Sequence, residues 1–173
     1  LECVLGKGGR QVLKEYSFRA ARDAPRHLRR YFSALSVANN HALDFGPDGL
    51  VECLRILAAD GIQQVGGGRT LAEARRPLVL EKDGIRIALV AANGFEPEDS
   101  AAGESTPGVA PLEEAAILAD IAAARRQADF VVPFVHWGPE LVAQPREADR
   151  GLARKMVEAG AAAVIGGHPH VTQ

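Results

Sequence analysis

Three short apolar runs, Leu35 to Ala38, Phe130 to Val135 and Ala162 to Ile165, each break off at a turn that carries histidine. The first leads into Asn39-Asn40-His41, the second into His136-Trp137-Gly138, and the third through Gly166-Gly167 into His168-Pro169-His170. Runs this short and this apolar read as strands buried on both faces. Between them lie stretches with helical spacing. Leu50, Val51, Leu54, Leu57 and Ala58 follow Pro47-Asp48, an alanine-rich segment runs from Leu112 to Gln127, and a third helix spans Arg146 to Ala159 and stops at Gly160. Buried strands alternating with helices define an α/β fold. In such folds ligands collect at the carboxyl ends of strands. Four of the 5 histidines stand at those exits; the other, His27, sits among Arg26, Arg29 and Arg30 and reads as surface.

The other expected elements are small. Leu1 to Val4 is a short apolar start carrying Glu2, and Gly6-Lys7-Gly8-Gly9 is a turn without the Lys-Ser/Thr of a phosphate loop. Tyr16 to Phe18 is expected as a short strand, and Ala24-Pro25 opens a helix to about Tyr31. Gly61 ends the helix after Pro47, Gln63 to Val65 is a strand, and Gly66 to Gly68 a loop. Thr70 with Glu73 has capping-box spacing. Leu78 to Lys82 and Ile85 to Ala92 flank Asp83-Gly84, a hairpin signal. Asn93 to Pro107 reads as a long irregular loop. No repeat or linker divides the chain, and 173 residues suit one domain.

A net charge of −2 gives no electrostatic case for nucleic acid or an anionic membrane surface as partner. Cys3 and Cys53 lack metal-ligand spacing and do not imply a disulfide. No apolar run approaches the roughly 18 residues of a membrane span. The chain opens on Leu1 and stops at Gln173 just past His-Pro-His, so we expect a piece of a longer protein.

His168 and His170 are two apart, which in an extended segment turns both imidazoles to one side, toward one metal ion or two adjacent ones. Each motif alone has a plainer reading. His136 is then a hydrogen-bonded structural residue, and Asn40 and His41 are turn and cap residues. Asp44 belongs to a helix N-terminus, Trp137 is packing or a pocket wall, and Glu140 is solvated. Their joint placement points instead to one metal-centred hydrolytic site. Mixed imidazole, carboxylate and amide oxygen donors suit Mn, Fe or Zn, and neighbouring ions can activate a bridging water.

Three stretches then carry a resemblance: Asn39-Asn40-His41-Ala42-Leu43-Asp44-Phe45-Gly46, His136-Trp137-Gly138-Pro139-Glu140 and Gly167-His168-Pro169-His170-Val171. Together they resemble the CapA family of capsule or poly-γ-glutamate synthesis proteins, related to calcineurin-like metallophosphoesterases. Leu1-Glu2 is similar to the end of that family's Asn-Leu-Glu motif, and Tyr16 to Ala20 to its following segment. The resemblance implies a metallophosphatase-like β-sandwich flanked by helices (α-β-β-α) over residues 1–173, incomplete at the N-terminus. There the family has a strand ending in Gly-Asp, whose aspartate is a metal ligand.

The resemblance further implies metal ligands at Glu2, Asn40, His136, His168 and His170, with divalent Mn, Fe or Zn, two ions in the complete domain. It implies His41 as the group that protonates a leaving oxygen, with Asp44 orienting it, and Asn39, Trp137 and Glu140 at the substrate. The implied substrate is an anionic polymer or a phosphoester, the partners are membrane-bound capsule synthesis proteins, and the location is the bacterial cell surface. The implied function is capsule (poly-γ-glutamate) biosynthesis with a metal-dependent phosphoesterase-like site. The alternative is a non-catalytic metal- or polymer-binding component of a synthesis or export complex.

Overall fold

The computed structural model describes residues 1–173, apart from the side chain of Pro97. Strands β1 (Val4–Leu5) and β2 (Arg19–Ala20) pair in parallel, and a short helix α1 (Ala24–Leu28) follows. Strand β3 (Ala34–Ser36) leads through the Asn39-Asn40-His41 turn into α2 (Gly46–Ala59). β4 (Gln63–Val65) returns parallel to β3, then come β5 (Gly67–Gly68) and α3 (Leu71–Ala74). A hairpin of β6 (Leu78–Lys82) and β7 (Ile85–Asn93) begins the second half; β8 (Gly108–Val109) pairs antiparallel with β5. Helix α4 (Glu114–Ala124), β9 (Phe130–His136), α5 (Glu147–Glu158) and β10 (Ile165–Gly167) complete the chain. The larger sheet has the order β10-β9-β7-β6, with β7, β9 and β10 parallel.

Both faces of that sheet are covered, which explains the near-continuous apolar character of its inner strands. Ala88, Val90 and Ala92 of β7, with Val131 and Val135 of β9, meet Ile117, Ile121 and Ala124 of α4 and Met156 of α5. The opposite face, through Leu89, Ala91 and Phe134, packs on Ala38, Val65 and Val109 of the second strand layer and on Leu50 of α2. On the far side of that layer Cys53, Ile56 and Leu57 of α2 bury Val4, Leu5, Val37 and Ile62. The layers therefore run helix, sheet, strand pairs, helix, as an α-β-β-α sandwich. At Gly66 (φ +89°) the two strand layers nearly touch: a Cβ there would lie 2.6 Å from that of Ala38 and 2.8 Å from that of Ala91. Only glycine fits this crossing.

Several expected boundaries move. The strand expected at Tyr16–Phe18 forms instead at Arg19–Ala20, where the pairing partners Val4 and Leu5 are buried. Helix α1 stops at Leu28, three residues before Tyr31. Gly67 and Gly68, expected in a loop, pair with Val109 and Gly108. The last strand slides from Ala162–Ile165 to Ile165–Gly167, because β9 offers Phe134, Val135 and His136 as partners there. A Cβ on Gly166 would stand 2.9 Å from Trp137 Nε1, so this glycine makes room for the indole. Thr70 Oγ1 accepts from Glu73 N–H at 3.2 Å, while the Glu73 carboxylate accepts from Arg69 N–H rather than from that of Thr70. Cys3 and Cys53 are free.

Candidate metal centre

Parallel pairing of β3, β9 and β10 with their neighbours brings the three histidine-bearing turns to one edge of the sandwich. Asn39 organises the first turn. Its Nδ2 donates to the Leu1 carbonyl at 2.7 Å and the Val37 carbonyl at 3.2 Å, and its Oδ1 accepts from His41 N–H at 2.9 Å. The side chain expected at the substrate is thus buried and already engaged; it fixes the turn and ties down the segment that carries Glu2. Next to it, Asn40 Oδ1 lies 3.0 Å from His136 Nε2. Glu2 Oε1 approaches the same nitrogen at 3.3 Å. His136 closes β9, and its carbonyl accepts from Gly94 N–H at 2.8 Å.

These separations suit an ion. Donors about 2.1 Å from one centre at tetrahedral or octahedral angles stand roughly 3.0–3.4 Å apart. A second observation agrees. His168 has a side chain only 1 % exposed, and both its ring nitrogens are buried without a hydrogen-bond partner among the described residues. Buried polar atoms are paired in the great majority of cases, so a buried imidazole with no partner at either nitrogen has a lone pair open to a ligand such as a metal ion. Glu2, His136 and His168 bring one donor each to within 4.8 Å of one another, and so do Glu140, His168 and His170. The residues present fit a divalent transition metal.

Burial, followed by the neighbouring imidazoles of His168 and His41, pushes His136 down to about 3. Burial also lowers His168, against the opposing pull of Glu140 and Glu2. Both rings are therefore neutral near pH 7 and hold lone pairs ready for a metal. The His168-Pro169-His170 segment is not extended as expected: His168 (φ +94°) and His170 (φ +57°) both have left-handed backbone, and their ring centroids lie 6.0 Å apart. The turn brings the two imidazoles into one cluster through a bend. Left-handed backbone at non-glycine residues concentrates at functional sites.

His41 and Asp44 form a pair beside this cluster. His41 Nδ1 sits 2.9 Å from Asp44 Oδ2, and Asp44 is fully buried. Asp44 also accepts from Phe18 N–H at 2.7 Å and from Lys14 Nζ at 3.1 Å, while Lys14 Nζ donates to the Asn40 carbonyl at 2.7 Å. One lysine thus holds the carboxylate behind His41 and the backbone of Asn40. Phe18 packs on His41 with centroids 4.4 Å apart, and Phe95 on His168 at 3.9 Å. Phe95 is held by an Asn93 turn, with Asn93 Nδ2 donating to its carbonyl at 2.8 Å.

Lys14 and Phe95 escaped the sequence reading, and Phe18 entered it only as part of a short strand and of the segment similar to the family's. Lys14 lies in an irregular stretch 30 residues from Asp44, with no periodicity or motif to mark it. Trp137 is not brought to the cluster. It is mostly buried and lines a separate cavity of about 380 Å³ with Asp149, Arg150 and Pro169. A smaller groove of about 240 Å³ is lined by Glu2, His136 and His168.

The chain is 34% identical over 169 residues to the "PGA biosynthesis protein CapA" of Bacillus subtilis, covering 96% of this chain and 44% of that protein. It is 29% identical over 164 residues to the "Capsule biosynthesis protein CapA" of Bacillus anthracis, covering 92% of this chain and 38% of that one. A "Probable polyglutamine synthesis accessory protein" of Mycobacterium tuberculosis is 33% identical over 154 residues, covering 83% of this chain and 40% of that protein. The chain thus spans less than half the length of these relatives.

Among solved structures, the fold is similar to the NAD nucleotidase of Haemophilus influenzae (TM-score 0.57, 14% identity, 90% of this chain and 30% of that one). It is also similar to a 5'-nucleotidase precursor from Thermus thermophilus (TM-score 0.54, 18% identity, 85% and 28%). These two likenesses are of fold: mixed α/β with helices outside the strand layers. Residues 1–173 match, end to end, the family described as Bacterial capsule synthesis protein PGA_cap, and the chain belongs to that family.

Proposed function

We propose that this chain carries the metal-dependent, phosphoesterase-like hydrolytic site of a protein that serves synthesis of an anionic capsule polymer, poly-γ-glutamate. The observation that carries the reading is the approach of Asn40 Oδ1 and Glu2 Oε1 to His136 Nε2, at 3.0 and 3.3 Å, beside the unpartnered His168. Glu2, Asn40, His136, His168 and His170 would hold Mn, Fe or Zn, two ions in the complete domain. A bound divalent ion supplies Lewis acidity toward a phosphoryl or carbonyl oxygen.

The chain's own residues do the rest. Asp44 accepts from His41 Nδ1–H, which fixes the ring and leaves Nε2 as the atom that, in the imidazolium form, would give its proton to a leaving oxygen. Lys14 and the Phe18 amide keep the Asp44 carboxylate in place. The Asn39 bond to the Leu1 carbonyl holds Glu2 against the first turn.

The substrate would be a phosphoester or the γ-glutamyl polymer, and the partners membrane-bound synthesis proteins at the bacterial cell surface. No helix among the described residues is long and apolar enough to cross a membrane. The second reading is a non-catalytic metal- or polymer-binding role for the same centre; the name "accessory protein" borne by one relative favours it.

The test is turnover of bis(p-nitrophenyl) phosphate and of poly-γ-glutamate with Mn²⁺, alongside metal content. Turnover that His41→Ala abolishes while metal is retained supports the hydrolase. Metal without turnover of either substrate leaves the binding role, and no metal defeats the hydrolase and leaves polymer binding alone. Fractionation and protease accessibility of the tagged protein in a capsule-forming bacterium test its location.

A further inference from the structure

We propose that Glu140 is a metal ligand that holds, with His168 and His170, a divalent transition-metal ion at the open side of the centre; this rests on the metal-centre reading above. Glu140 Oε1 stands 3.8 Å from His168 Nε2, too far for a hydrogen bond. The nitrogen it faces is buried and unpartnered. An ion between the two supplies the interaction that neither makes with the other. His170 brings the third donor within 4.8 Å.

The backbone delivers the carboxylate to this point. Gly138 (φ +86°) and Leu141 (φ +58°) bracket the turn that presents Glu140, and Leu141 N–H donates to the Pro169 carbonyl at 2.7 Å. That bond locks the turn after β9 to the very segment that carries His168 and His170. Two imidazoles and a carboxylate suit Zn, Fe or Mn.

Charge argues in the same direction. The proposed substrates are anions, and a bare carboxylate beside the site repels them. Coordination to an ion removes that repulsion. Glu140 therefore acts as a ligand and not, as its motif implied, as a substrate contact.

The 173-residue chain is titrated with Zn²⁺ and with Mn²⁺ by calorimetry, with bound metal counted by elemental analysis, against Glu140→Gln. Glu140 and His170 are both exposed, so the substitution is not expected to disturb folding, and circular dichroism melting checks this. Glu140→Ala gives a second variant if the glutamine form melts abnormally. We expect Glu140→Gln to lose one equivalent or to weaken one by at least about 10-fold, the scale seen even for outer-shell partners of metals. If Glu140→Gln binds as the unaltered chain does, the proposal is overturned and the metal-centre reading stands. If the unaltered chain binds neither ion, both fall.

Discussion

Asn40 Oδ1 and His136 Nε2 meet at 3.0 Å, although 96 residues separate them in the chain. The contact joins the end of the small strand layer to the end of the large sheet, at the edge where Glu2 and His168 also arrive. Replacing either residue removes a donor from the cluster.

His136→Ala and Asn40→Ala are each expected to weaken Mn²⁺ or Zn²⁺ binding by at least about 10-fold. Because His136 is buried, its loss also leaves a hole and lowers the melting temperature. Calorimetric titration and thermal melting separate the two effects. Unchanged affinity in both variants means that the ion, if any, binds elsewhere.

Asp44→Asn tests the support behind His41. The carboxylate is fully buried and serves Lys14, Phe18 and His41 at once. Breaking a buried ion pair from one side costs about 3 kcal/mol, and losing a positioned proton donor costs about 10²-fold or more in turnover. The variant should unfold at lower urea, hydrolyse a phosphodiester more slowly, and keep its metal content. Loss of metal would place Asp44 among the ligands instead.

The metal-free chain should become less stable as pH falls through 6. His136 is held at about 3 in the fold, mainly by burial, whereas an unfolded imidazole titrates near about 6.5. The folded value is the lower one, so between these limits the unfolded state binds more protons and stability rises with pH. The expected slope is about 1.4 kcal/mol per pH unit below roughly pH 6. His168, lowered in the same direction by burial, adds to it. Urea unfolding in chelator at pH 7.5, 6 and 5 measures the slope, and His136→Gln should reduce it. Saturating metal at about 100 times Kd should add about 2.7 kcal/mol at neutral pH.

Gly66→Ala probes the crossing of the two strand layers. The added methyl would press on Ala38 and Ala91 from a left-handed backbone. Overpacking of this kind costs about 1–3 kcal/mol, read as a lower urea midpoint with an unchanged slope. An alanine variant as stable as the parent would mean that the layers sit farther apart.

The alternation of buried strands and helices was legible because each layer buries both faces of its strands. So was the gathering of His41, His136, His168 and His170, since strand ends in a parallel sheet share an edge. The short strands were misplaced by a few residues because two- or three-residue pairings follow their partners: β10 takes its register from Phe134 to His136. The His168–His170 geometry was read as extended, yet a bend with positive φ brings the rings together. The resemblance implied Asn39 at the substrate; the backbone partners its side chain holds, Leu1 and Val37, are invisible without the fold. Lys14 and Phe95 carry no motif, and their roles arise only from where irregular segments settle.

The donors at positions 2, 40, 136 and 168 lie on segments that do not become neighbours until nearly the whole chain has found its topology. Contacts so distant in sequence form late, after their loop-closure entropy has been met. An ion bound as proposed would therefore seat fully only on a finished molecule, since a partly folded chain offers it scattered single donors. Its occupancy would then double as a readout of completed folding, and a chain that stalls before its last strand docks would remain both open and metal-poor.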